Sequence, residues 1–140
     1  MLDPESVHAF LAAHTRGVLV TLKGDGRPQL SNIMYGFFDD RVHISVTDGR
    51  AKTRNLARDR RATLHVTDEA FGRYLVVDGT ADLTSVTTEP NDRAADLLAA
   101  TYRSIAGEHP DWHEFRQAMI DQHRLVISFG IEHAYGQGIE

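Results

Sequence analysis

The chain has 140 residues, 41% apolar and 25% charged, a balance that gives one globular domain spanning residues 1–140 and leaves no case for global disorder. A formal net charge of -5 excludes a general nucleic-acid binder, whose affinity rests on an excess of Lys and Arg at phosphates. With no cysteine there are no disulfides, thiolate ligands or sulfur nucleophile; with no run of roughly 18 apolar residues and an acidic N-terminus, MLDPESVHAFLAAH, a cytoplasmic protein without membrane association is expected.

Pro4 and the candidate cap Asp3, followed by Val7, Phe10 and Leu11, predict a short amphipathic helix over residues 4–14. From Gly17 the texture changes to strand: GVLVTL, a turn at Lys23-Gly24-Asp25-Gly26, then PQLSNIMYGFF as far as Asp39-Asp40. RVHISVT alternates Val42, Ile44 and Val46 with polar residues, the period of a half-buried strand. RAKTRNLARD then predicts a short helix crossing to the strand ATLHVT. RYLVVDGTADLTSV reads as a long β stretch in which Gly79 marks a bulge or bend. Residues 89–106 predict a helix starting at Thr88-Glu89-Pro90 and stopping at Gly107, with Ala94, Leu97, Leu98, Thr101, Tyr102 and Ile105 along one stripe. A second helix follows Pro110, and RLVISFGI supplies a last strand. About six strands joined by short turns favour a small antiparallel barrel with short flanking helices over a parallel α/β sheet.

Six of the 15 basic residues, Arg50, Lys52, Arg54, Arg58, Arg60 and Arg61, crowd one segment beside a single acid, Asp59. That asymmetry calls for an anionic partner. A helix start offers unpaired N–H groups, and Arg50-Ala51-Lys52-Thr53-Arg54-Asn55-Leu56 adds a guanidinium, an ammonium and a hydroxyl, together a good phosphate cradle. A basic helix facing water is the alternative reading of the same residues. Tyr35, Phe37 and Phe38 could line a flat cofactor, but at strand spacing they read better as core pairs. The eight histidines include an i,i+4 pair, His109 and His113, yet Pro110 sets His109 at a helix boundary and no third ligand is at hand, so no metal site is assigned. No nucleophile elbow, dinucleotide-binding glycine motif or H-E-x-x-H is present, and no acid–base residue is assigned.

The series VLVTLKGDGRPQLSNIMYGF, HISVT, RAKTRNLARDRRATLHV, VVDGTADL and the terminal HAYG resembles the pyridoxamine 5'-phosphate oxidase-like split-barrel family. Within it the chain looks closest to the flavin/deazaflavin oxidoreductase B group, the small actinobacterial proteins that use coenzyme F420. The resemblance implies a six-stranded antiparallel split β-barrel of the FMN-binding type. It implies that Arg50 and Lys52 hold a cofactor phosphate with Thr53 and Asn55 beside them, that Ala51 belongs to the same cofactor-binding segment, that Gln29, Ser31 and Asn32 lie near the cofactor ring, that Val20 and Thr21 form part of its floor, and that Ser45 and Val46 are backbone neighbours. It also implies a homodimer with the cofactor at the subunit interface, where Tyr74 approaches from the partner. One departure stands out: Gly72 occupies a position where close relatives often carry tryptophan, which leaves the outer wall of the pocket open.

The activity so implied is hydride transfer between bound F420 and a small organic substrate, the cofactor carrying the redox chemistry. The extra arginines at 54, 58, 60 and 61 lean toward F420, whose oligoglutamate tail they could meet. An FMN enzyme of the pyridoxamine-phosphate-oxidase kind is the alternative, and a non-enzymatic cofactor carrier or haem-binding split barrel the third reading.

Overall fold

The computed structural model of the protein describes residues 2–140; Met1, the first residue of the domain read above, lies outside the described residues. Helix α1 (Pro4–Ala12) begins at Asp3, whose carboxylate accepts from the Ser6 N–H, and buries Val7, Phe10 and Leu11. Strands β1 (Arg16–Leu22) and β2 (Pro28–Met34) form a hairpin in which Arg16 faces Met34 and Leu22 faces Pro28.

The stretch expected as one strand from Pro28 to Phe38 breaks at Tyr35. Its ring is fully buried and its hydroxyl donates to the Leu11 carbonyl at 2.8 Å, so the chain crosses there from one sheet to another. Strand β3 (Gly36–Phe38) then pairs with β4 (Arg41–Thr47). Asp39 and Asp40 join them with φ of 53° and 56°, the two left-handed residues that a tight hairpin turn requires.

Helix α2 (Ala51–Arg58) leads to β5 (Arg61–Thr67), β6 (Tyr74–Thr80) and β7 (Asp82–Leu83). Gly79 pairs regularly with Ala62 and marks no bulge. What needs glycine there is a close approach: a Cβ would lie 2.3 Å from the Gly130 carbonyl oxygen and 2.7 Å from the Phe129 ring.

Helix α3 (Arg93–Ala106) starts later than residue 89, the start expected from Thr88-Glu89-Pro90, while its apolar stripe from Ala94 lies within it. The Asp92 carboxylate accepts from the backbone of Thr88, Glu89 and Ala95 and from the Thr87 hydroxyl, which folds the preceding residues into a capping turn. Helix α4 (Trp112–Asp121), strand β8 (Arg124–Gly130) and strand β9 (His133–Gln137) complete the chain.

All strand pairs are antiparallel, in a five-stranded sheet of order β2-β1-β5-β6-β9 and a four-stranded sheet of order β3-β4-β8-β7. Six strands have seven residues each, matching the six expected; the shorter β3, β7 and β9 are edge strands with too little periodicity to announce themselves. The sheets share one core, in which Leu19, Leu64, Leu75 and Val77 meet Ile44, Val46, Ile127 and Phe129, with Leu56 of α2 buried at its edge. This is the split-barrel type of architecture expected above. On the other side of the four-stranded sheet, Leu98, Ala99 and Phe115 of the helical pair pack against Val126.

Candidate functional site

Of the four helices among the described residues, three begin at an aspartate whose side chain caps the first turn, namely Asp3, Asp92 and Asp111. Helix α2 differs. Its N-cap is Arg50, with no side-chain cap hydrogen bond and no acid in the first turn. The amide dipoles of that turn and the Arg50 charge therefore point the same electrostatic way, toward an anion.

Lys52 is half-buried on that turn and has no carboxylate within salt-bridge distance among the described residues. Burial, then the charges of Arg50 and Arg124, hold its ammonium below the ordinary lysine pKa. Arg124 belongs to β8 and faces Thr47 across the β4–β8 ladder, which brings it beside the turn that launches α2. It donates to the Ser45 hydroxyl at 3.3 Å and to the Gln122 side chain at 2.9 Å, and it too lacks a carboxylate. Nothing in the local sequence marked Arg124. The signal lies in the pairing of β4 with β8.

The neighbouring polar residues form a continuous chain. Gln29 donates to the Ser31 hydroxyl at 2.9 Å and accepts from the Thr21 hydroxyl at 3.0 Å; Thr21 accepts from the Asn55 amide at 3.1 Å; Asn55 accepts from Arg58 at 3.2 Å. Thr21 and Asn55 are buried, so this chain ties α2 to β1 and β2 and sets the helix start in place. The Thr53 hydroxyl donates to the Thr47 carbonyl at 3.1 Å, a second anchor. Ala51, exposed at the first position of α2, can offer only backbone.

Val20, Asn32 and Tyr74 lie elsewhere. Strand register puts them on the outer face of the five-stranded sheet, with Val18, His65 and Tyr135, whereas Thr21, Gln29 and Ser31 point to the inner face. That outer face carries a depression of about 490 Å³ lined by Val18, Asn32, Met34, His65 and Thr67. Leu30, Met34 and Tyr135 stand on it 60%, 48% and 51% exposed. Val46 turns its side chain into the core, leaving only its backbone for a ligand.

The other arginines of the basic run are already engaged. Arg60 pairs with Asp82 at 2.5 Å and Arg61 with Asp59 at 2.8 Å, while Arg54 and Arg58 donate to the carbonyls of Gly49 and Leu22. Within the run only Arg60 and Arg61 have a carboxylate partner among the described residues; Arg54 and Arg58, bonded to neutral carbonyls, keep their charge uncompensated, as do Arg50, Lys52 and Arg124. Tyr35 lies in the core and Phe37 packs against it, while Phe38 stacks on His43, ring centroids 3.8 Å apart. Among the described residues no group of three or more His, Asp or Glu side chains converges as a metal site, and no helix is long and apolar enough to cross a membrane.

A model of the pyridoxamine 5'-phosphate oxidase family matches residues 3–138, and the chain belongs to that family. Solved structures agree on the fold. The conserved hypothetical protein Rv2991 of Mycobacterium tuberculosis superposes with a TM-score of 0.76 at 17% identity, over 97% of this chain and 84% of its own. An F420 reductase gives 0.68 at 20% identity, over 91% and 94%. The haem storage protein HutZ of Vibrio cholerae gives 0.69 at 17% identity, over 96% and 93%. At these identities the likeness is one of fold.

Proposed function

We propose that this protein is an oxidoreductase that binds a phosphate-bearing flavin-type cofactor, coenzyme F420 in the first place, and transfers a hydride between it and a small organic substrate. The observation that carries the reading is the convergence of Arg50, Lys52 and Arg124, without a carboxylate, on the open first turn of α2. A phosphate fits that donor set: it would relieve the mutual repulsion of the cations and accept from the unpaired helix amides. The bound cofactor would supply the hydride chemistry. The protein's part is to hold the phosphate at Arg50 and Lys52, to fix α2 through Asn55, Thr21 and Thr53, and to offer Gln29 and Ser31 as polar contacts beside the ring.

The proposed site is completed by a second copy of the chain. Val20, Asn32 and Tyr74 sit on the opposite face of the sheet from Gln29 and Ser31, so one copy alone does not gather them around one ligand. The outer face, with its exposed Leu30, Met34 and Tyr135, is the surface proposed for pairing. Gly72, just before β6, leaves space at that rim for the substrate.

FMN presents the same phosphate and is the alternative cofactor. A haem reading has one observation in its favour: His65 lines the outer-face depression and lies 5.7 Å from the Tyr74 ring, an imidazole beside an open pocket. Equilibrium titration of the purified protein with F420, FMN and haem tests the proposal. The reading expects F420 or FMN to bind more tightly than about 0.1 mM, an affinity of about 5.5 kcal/mol, and fails if only haem does.

A further inference from the structure

A second cavity, of about 340 Å³, lies between α3, α4 and the outer face of β4 and β8. Its volume is at the small end of the roughly 300–1,000 Å³ of small-molecule sites. The helical walls are mainly apolar, from Leu98, Tyr102, Ile105, Phe115, Ala118 and Met119, with Thr101 and His109 among them. Ser45 and Arg124 line it on the strand side.

We propose that this cavity binds a small aromatic carboxylate, its carboxylate held by Arg124 and the Ser45 hydroxyl. Charge selects the head group. The Arg124 guanidinium is half-buried and bonded only to neutral partners, Ser45 and Gln122, so an anion entering the cavity would meet an uncompensated cation. Orientation follows, because the acid lining the cavity is Glu114 of α4, which repels a carboxylate toward Arg124. Shape selects the body: the Tyr102 and Phe115 rings stand 5.1 Å apart at 59°, a tilted pair that gives an inserted ring both a face and an edge. Met119 adds a polarizable thioether to the same wall. Burial and the neighbouring Arg50 also depress the Arg124 pKa, a cost that a bound carboxylate offsets.

The test is calorimetric titration of cofactor-free protein with 2-naphthoate and with its neutral isostere 2-naphthamide. Arg124 also belongs to the proposed phosphate site, so the cavity-filling variants, which leave Arg50, Lys52 and Arg124 in place, separate binding here from capture of the carboxylate at that site. Naphthoate is expected to bind below about 1 mM and at least about tenfold tighter than the amide. Arg124→Gln should bring naphthoate down to the level of the amide. Ala118→Phe, checked for an unchanged thermal melt, should abolish binding of both by filling the cavity; Met119→Trp replaces it should that variant not fold. Equal affinity for acid and amide, no naphthoate binding at 1 mM, or full binding in the folded cavity-filling variant overturns the proposal.

Discussion

Lys52 on α2 and Arg124 at the start of β8 repel one another, and among the described residues neither has a carboxylate partner. Such an arrangement costs free energy in the empty protein and returns it when an anion arrives. Arg124→Gln should therefore raise the Lys52 pKa toward its ordinary value, read by NMR of labelled lysine, while weakening cofactor binding. A hydrogen bond to a charged group is worth about 1.5–3 kcal/mol, so the loss should be roughly 10- to 100-fold.

Thr21→Val keeps shape but removes the hydroxyl that links Asn55 to Gln29. The Asn55 amide would be left buried without its acceptor, at a cost of about 1–3 kcal/mol. Urea unfolding measures it. A cost indistinguishable from zero would mean that the polar chain does not hold α2 in place.

His43 is 4% exposed, stacks on Phe38, and its Nδ1 has no hydrogen-bond partner among the described residues. Burial lowers its pKa from the ordinary 6.5. Above that value the ring is neutral in both folded and unfolded chains. As pH falls from 6.5 toward the lowered value, the unfolded chain takes up a proton that the folded one refuses, and stability is lost through that window. His43→Leu should flatten this part of the stability–pH curve relative to the parent, measured by denaturant unfolding at a series of pH values.

Asp92 behaves in the carboxylate sense. Burial opposes its ionisation, but donors from Thr88, Ala95, Thr87 and Glu89 overcome that and bring it to about 2. Its contribution to stability is present above the ordinary 3.8 and is lost as pH falls through about 2. Asp92→Ala should cost about 1–2 kcal/mol at neutral pH and remove that acid-side dependence.

The sequence made the general architecture legible because strands such as β5 bury alternate residues, Ala62, Leu64 and Val66, and because the β1–β2, β3–β4 and β5–β6 turns carry Gly or Asp. It did not reveal the crossing at Tyr35, where burial of one ring and its bond to Leu11 divide an apparently continuous strand. The start of α2 could be read from RAKTRNLARD, since a basic residue replaces the acid that caps the other helices. Arg124 could not, because only the pairing of β4 with β8 brings it there. The arginines at 60 and 61 differ in kind: their charge is visible in the sequence, their partners Asp82 and Asp59 only in the fold.

The central claim is that α2 begins at a cofactor phosphate site. It is tested most directly by fluorescence titration of F420 and FMN into the parent protein and into Lys52→Ala, at low and high salt. The account predicts that the cofactor bound by the parent loses roughly tenfold or more of its affinity in the variant, and that the remaining binding is less salt-sensitive. Unchanged affinity and unchanged salt dependence in a folded Lys52→Ala protein would contradict it.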